Sequence, residues 1–178
     1  MAVTQFSLNA GQRAERKTLI TVAEWTEGTG SSASSVREIL GTRTEDSSIE
    51  YNSDIETTTD ILGNNYTDLN KTQPEQSFDP SPVIGGDKLK AFLNDIRRRN
   101  ALSELQAFTV YIITAFADTG SGTTHAYEAE KHEDCTITYD SIGGDVNVNF
   151  PFTIHFSNKI TTGTVDKLSD DFVFTADV

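Results

Sequence analysis

The sequence predicts a mainly β protein: an antiparallel sandwich or barrel with one flanking α-helix. Three observations carry that prediction. Residues 106–116 (QAFTVYIITAF) and 145–156 are rich in β-branched and aromatic residues, and the second run alternates with period two almost throughout. Gly, Ser, Thr and Asp gather between such runs, where turns need them. Convincing helical spacing occurs in one stretch, at about 87–99.

Taken in order, residues 1–15 carry little periodicity and read as an N-terminal arm. Residues 17–25 (KTLITVAEW) read as a strand, 27–35 (EGTGSSASS) as a hairpin connection and 36–40 as a short strand. From 47 to 62, Ile49, Tyr51, Ile55, Thr57, Thr59 and Ile61 alternate with Glu50, Asn52, Asp54, Glu56 and Asp60. That pattern predicts strand with the carboxylates on one face, and Asn52-Ser53 reads as a turn that keeps the parity.

Residues 63–86 are polar and hold three of the chain's four prolines, so they read as one long loop. Loops beyond about 12–15 residues without structure of their own are functional or disordered. Tyr66 and Phe78 inside it are expected to meet a partner, because nothing local would cover them.

Asp87 then supplies an N-cap, Leu89, Phe92, Leu93 and Ile96 form one apolar stripe, and Arg97–Arg99 complement the negative end of the helix dipole. Asn100 suits the left-handed terminating conformation.

The run 106–116 is nearly apolar throughout and predicts a central strand covered on both sides. Residues 118–124 read as a turn. Segments 125–131 and 134–139 read as paired strands, which leaves His132 at a solvated hairpin end. In 145–156, Val146, Val148, Phe150, Phe152, Ile154 and Phe156 are expected inward, with Pro151 marking an edge or bulge. Residues 161–165 and 171–175 read as short strands, with Phe172 and Phe174 inward.

A length of 178 residues fits a single domain, 1–178, able to bury a core without disulfide or metal. With 27 acidic against 14 basic residues, the net charge of −13 opposes a sequence-independent grip on phosphates. Cys135 is the lone cysteine, so an internal disulfide is excluded and a reducing compartment fits. There is no signal-type N-terminus and no apolar run near 18 residues, so synthesis as a soluble protein in the cytoplasm is expected.

Signals for chemistry are weak. His125, His132 and His155 match no zinc spacing, even with Cys135 near His132. Asp54, Glu56 and Asp60 are spread along a strand rather than converging, and nucleophile, phosphate-loop and dinucleotide motifs are absent. No catalytic residue, metal or cofactor is expected, and an enzyme is disfavoured. Arg97–Arg99 read as a solvated or ion-paired helix end, whose acids in an assembly could come from a neighbouring subunit.

The order of parts resembles a known family. An acidic strand closes on Asp60-Ile61-Leu62-Gly63. The segment Asn70-Lys71-Thr72-Gln73-Pro74-Glu75-Gln76-Ser77-Phe78-Asp79-Pro80 follows, then the helix and a second strand block. From about residue 25 to 178 this is similar to the major tail (tail tube) proteins of long-tailed bacteriophages with non-contractile tails. The resemblance implies a β-sandwich or barrel related to the ring protein of type VI secretion. It implies a structural virion protein of the tail that forms stacked hexameric rings around a lumen through which DNA passes. Its partners would be copies of itself and the tape measure, tip and terminator proteins, with no membrane and no specific nucleic-acid binding. It also makes Tyr66, Leu69, Lys71, Pro74, Phe78, Arg97, Arg98 and Arg99 candidates for inter-subunit or inter-ring contact. Glu50, Asp54, Glu56 and Asp60 become candidates for a lumen-facing acidic wall that repels phosphate. Two other readings stand beside it: a capsid decoration or other structural virion protein, and a carbohydrate-binding β-sandwich module. The latter would display its aromatics, whereas most Phe here are expected inward.

Overall fold

Strands form where alternating apolar residues have a second layer to meet. The computed structural model describes residues 7–28, 30–121 and 123–177. Its elements are β1 (Leu19–Glu27), β2 (Ser34–Ile39), β3 (Ile49–Glu50), β4 (Asp54–Thr59), β5 (Asn65–Lys71), β6 (Glu75–Phe78), α1 (Lys88–Arg99), β7 (Phe108–Asp118), β8 (Tyr127–Tyr139), β9 (Phe152–His155), β10 (Ile160–Val165) and β11 (Phe174–Ala176). Among the described residues the protein is mainly β, antiparallel, with one α-helix, as its sequence predicts.

Nine strands form one network in the order β2-β1-β7-β8-β9-β6-β3, with β10 on β8 and β11 on β10. β8 serves both halves. Residues 127–135 pair with β7, Tyr127–His132 also face β10, and Thr136–Tyr139 pair with β9. The change of partner falls beside Asp134, whose φ of 55° breaks the regular pleat. The second half thereby folds over the first. Thr21 on β1 donates a 3.0 Å hydrogen bond to the buried Gln76 side chain on β6, linking the two layers.

Two cores result. Ala23, Trp25, Val110 and Ile112 face Phe78, Ile137, Phe152, Ile154 and the helix residues Leu89, Leu93 and Ile96. On the other side of the same strands, Val22, Tyr111 and Ile113 meet Ala129, Val165 and Phe172. β7 is therefore covered on both sides, and period two sorts its residues between the cores. Arg37 on β2 fastens the chain's C-terminal segment over the second core. It pairs with Glu24 at 2.7 Å, donates to the Phe172 carbonyl at 2.8 Å and lies 4.6 Å from the Phe172 ring centroid.

α1 is set by local chemistry. The Asp87 carboxylate accepts from the Lys90 N–H at 3.0 Å, and Asn100 closes the helix at φ 55°. Glu38 on β2 adds a cap from outside, accepting the Lys88 and Leu89 N–H groups at 3.0 and 2.6 Å.

Three expectations are corrected. Residues 125–139 are not a hairpin: β8 is continuous, and His132 is 3% exposed with its ring 4.9 Å from Phe156. The polar run at 132–134 is absorbed as an irregularity within the strand. The predicted strand 145–156 shortens to β9, preceded by an irregular segment with Gly143 and Gly144 at φ 157° and 147°. Val146 and Val148 are consequently exposed, not inward. The predicted loop 63–86 contains β5 and β6. Of the predicted arm, residues 1–6 lie outside the described residues, and Ser7 bonds the Phe116 carbonyl on β7. Among the described residues, no helix is long and apolar enough to cross a membrane.

Candidate assembly surface

The chain leaves the body after β3, forms a two-stranded ribbon and returns at β6. Tyr51, Asn52 (φ 41°) and Ser53 lie outside strand structure at the exit. They are no hairpin turn, since β3 pairs with β6 while β4 and β5 pair only with each other.

The register assigns the ribbon's faces. Ile55 opposes Leu69, Thr57 opposes Thr67 and Thr59 opposes Asn65 on one side. Glu56 opposes Asp68 and Thr58 opposes Tyr66 on the other. Asp54 opposes Lys71 across a bulge. Neither side is covered: Ile55 and Leu69 are 60% and 61% exposed, and every residue of β4 and β5 is exposed. An isolated two-stranded hairpin is marginal in water, and clustered exposed apolar groups mark an interaction surface.

The tip explains how the ribbon keeps its shape. The Gly63 N–H donates to the Asp60 carbonyl at 3.0 Å, with Gly63 at φ 84°, which L side chains resist. The Asp60 carboxylate accepts from the Asn64 side chain, from the Asn64 and Leu62 N–H groups and from the Tyr66 hydroxyl. These bonds, those to Asn64 foremost, hold its pKa at about 2 against an ordinary 3.8. Beyond them stand Ile61, fully exposed, and Leu62, 81% exposed.

The four acidic candidates do not form one stripe. Asp54 and Glu56 lie on β4, Asp60 organises the tip, and Glu50 sits on β3 opposite Glu75. Alternation ran on in sequence through a change of sheet. Among the contact candidates, Tyr66, Leu69 and Lys71 lie on β5 and are exposed. Pro74 is half-buried, its carbonyl accepting from the Phe156 N–H at 3.0 Å, so it ties β6 to the body.

Phe78 is a correction. It is 2% exposed and stacked on Phe152 at 4.7 Å, a core residue and not a partner-facing anchor. Its neighbours come from β9, more than seventy residues away in sequence, so no local pattern announced its cover.

The three arginines differ. Arg99 bridges Asp95 at 2.7 Å and Glu104 at 2.8 Å within the same chain. Arg97 reaches the neutral Asn94 at 2.9 Å, and Arg98 is exposed.

Two further features escaped sequence reasoning. One is an open groove of about 790 Å³ beside α1, lined by Trp25, Ala91, Phe92, Asp95, Arg99 and Glu104. The other is the exposure of Val83, Ile142, Val146 and Val148, with the Val83 N–H donating to the Val148 carbonyl at 2.8 Å. The Asp60–Gly63 spacing was the available sign of the ribbon's turn. Among the described residues, no group of three or more His, Cys, Asp or Glu is arranged to hold a metal.

No protein-family model matches the chain, and no curated protein matches it. Among solved structures, the chain is similar to one from a cryo-EM structure of an extracellular contractile injection system, the PVC sheath-tube complex in its extended state. The two are 13% identical, with 87% of this chain and 94% of that chain covered and a TM-score of 0.44.

Proposed function

We propose that this chain is a structural protein that assembles with copies of itself, as the tube subunit of a long-tailed phage. Stacked hexameric rings would enclose a lumen that passes DNA, and the work is mechanical rather than catalytic. One observation carries the reading: a folded body extends a shaped ribbon whose Ile55–Leu69 rung, Glu56–Asp68 rung and tip all lack cover. Such an element costs solubility unless another surface receives it. The acid excess fits the second half of the reading, since a wall of net −13 subunits repels phosphates instead of retaining them. Partner proteins at the tube's ends belong to the same proposal.

The test is negative-stain microscopy of the concentrated protein beside a variant with residues 54–71 replaced by a short Gly-Ser link. Rings or tubes about 100 Å wide, scaled to six domains of this size, are expected from the intact chain and not from the variant. A single particle at every concentration of the intact chain overturns the reading.

A further inference from the structure

If copies of this chain assemble, the ribbon needs a receiving surface, and the body carries one of matching chemistry. The groove beside α1 is floored by Trp25 and Phe92, whose rings stack at 5.7 Å with Phe108 behind them at 6.3 and 6.1 Å. Its rim is held by Arg99 between Asp95 and Glu104. Ala91, Asp95 and Arg98 are spaced i, i+4 and i+7 on α1, so they share one stripe of the helix. Arg98 thus continues the groove's line towards the helix C-terminus, with Arg97 beside it. Among the described residues, neither Arg97 nor Arg98 has a carboxylate within ion-pair distance, in a chain where acids outnumber bases 27 to 14.

The ribbon offers the converse. Its tip carries the exposed pair Ile61 and Leu62. Behind the tip, Glu56 and Asp68 are directly opposed on one face, a like-charge rung that is unfavourable by itself. Neither carboxylate has a cation partner among the described residues. From Glu56 the strand runs three residues on to Thr59, about 10 Å, before the turn that carries Ile61 and Leu62. Seven residues separate Ala91 from Arg98, about 10 Å of helix, so the two spans are comparable.

We propose that the Ile61–Leu62 tip of one copy seats in the Trp25–Phe92 groove of a second copy, with Glu56 and Asp68 receiving Arg98 and Arg97. Two carboxylates against two guanidinium groups is the pairing that bidentate hydrogen bonds favour. The contact is heterologous: each copy presents one ribbon and one groove, the arrangement that propagates into rings or filaments.

Charge exchange tests it. Glu56→Lys with Asp68→Lys, and separately Arg97→Glu with Arg98→Glu, change exposed side chains; the first pair should keep the body's melting temperature, and the second, which puts acids at the negative end of the helix dipole, should lower it by only a few degrees. Each is expected to raise the concentration for half-assembly about tenfold or more. An equimolar mixture of the two variants should assemble better than either alone, because swapped ribbons then meet swapped grooves. The quadruple variant should return to within a few-fold of the original protein. In addition, oxidising a mixture of Leu62→Cys and Ala91→Cys chains should yield a disulfide-linked dimer. If the original protein assembles but the quadruple variant is no better than its parents and no crosslink forms, the groove's occupant is something else and this contact is wrong. If the original protein never assembles, the self-assembly reading falls, and the contact with it.

Discussion

β7 and β4 both alternate, and only one of them is covered. In β7, Val110 and Ile112 enter one core while Tyr111 and Ile113 enter the other. In β4, Ile55 and Thr57 point to one face and Glu56 and Thr58 to the other, and all four are exposed. Alternation assigns side chains to faces; what covers a face is decided by elements far away in sequence. The body's strands owe their stability to burial in two layers. The ribbon relies on its own ladder and on a hydrogen-bonded tip, a much smaller reserve.

The largest effect that could break this contrast is at Phe78. Phe78→Ala should lower the stability of the free subunit by about 3–5 kcal/mol, read from urea unfolding. A loss below about 1 kcal/mol would move β6 out of the body and into the ribbon's class.

Arg37→Ala should cost about 1–2 kcal/mol, since it leaves the Glu24 carboxylate short of a partner but still in reach of solvent. Burial pushes the Glu24 pKa up, yet Ser35, Arg37 and Tyr111 together hold it below its ordinary value. Tyr111, buried and donating to Glu24 at 2.9 Å, is itself pushed up to about 12. Faster proteolysis near Phe172 in Arg37→Ala would place the loss at the C-terminal segment; unchanged stability would mean the clamp is idle.

On the ribbon, Ile55→Ser with Leu69→Ser should leave the free subunit within about 0.5 kcal/mol of the original. A drop comparable to that of Phe78→Ala would reveal cover for the ribbon within the same chain.

The smallest effect is local and depends on pH. A folded pKa below the unfolded one means that ionised Asp60 favours the closed tip. That contribution is complete above about pH 4 and disappears as pH falls through about 2, given 3.8 unfolded and about 2 folded. Amide shifts of Leu62 and Asn64 should titrate with a midpoint near 2. A midpoint near 3.8 would mean that the tip bonds do not form in solution. Asp118 offers a control on the body, held at about 2 by the Ala126 and Gly120 N–H groups and His125.

What was legible in the sequence follows the range of the forces involved. α1 was readable almost residue by residue, because its cap, stripe and terminator act within a turn or two. β7 was readable because an apolar strand has no other place to go. β5 (NYTDLNK) was not, since a strand with no core to face carries no apolar period and resembles a loop. The His132–Asp134 run imitated a turn, and only the partners on β9 and β10 reveal that β8 continues through it. Residues 145–149 imitated a strand, and nothing local reported that Val146 and Val148 lack cover. Within the candidate surface, the contact candidates on β5, Tyr66, Leu69 and Lys71, are exposed. Phe78 and the idea of a single carboxylate stripe failed, because both depend on long-range pairing.

A last consequence comes from β8, stitched to β7 and β10 along one stretch and to β9 along the next. Tension applied to either half of the network travels along that shared backbone into the other half. A subunit wired in this way resists being peeled apart layer by layer.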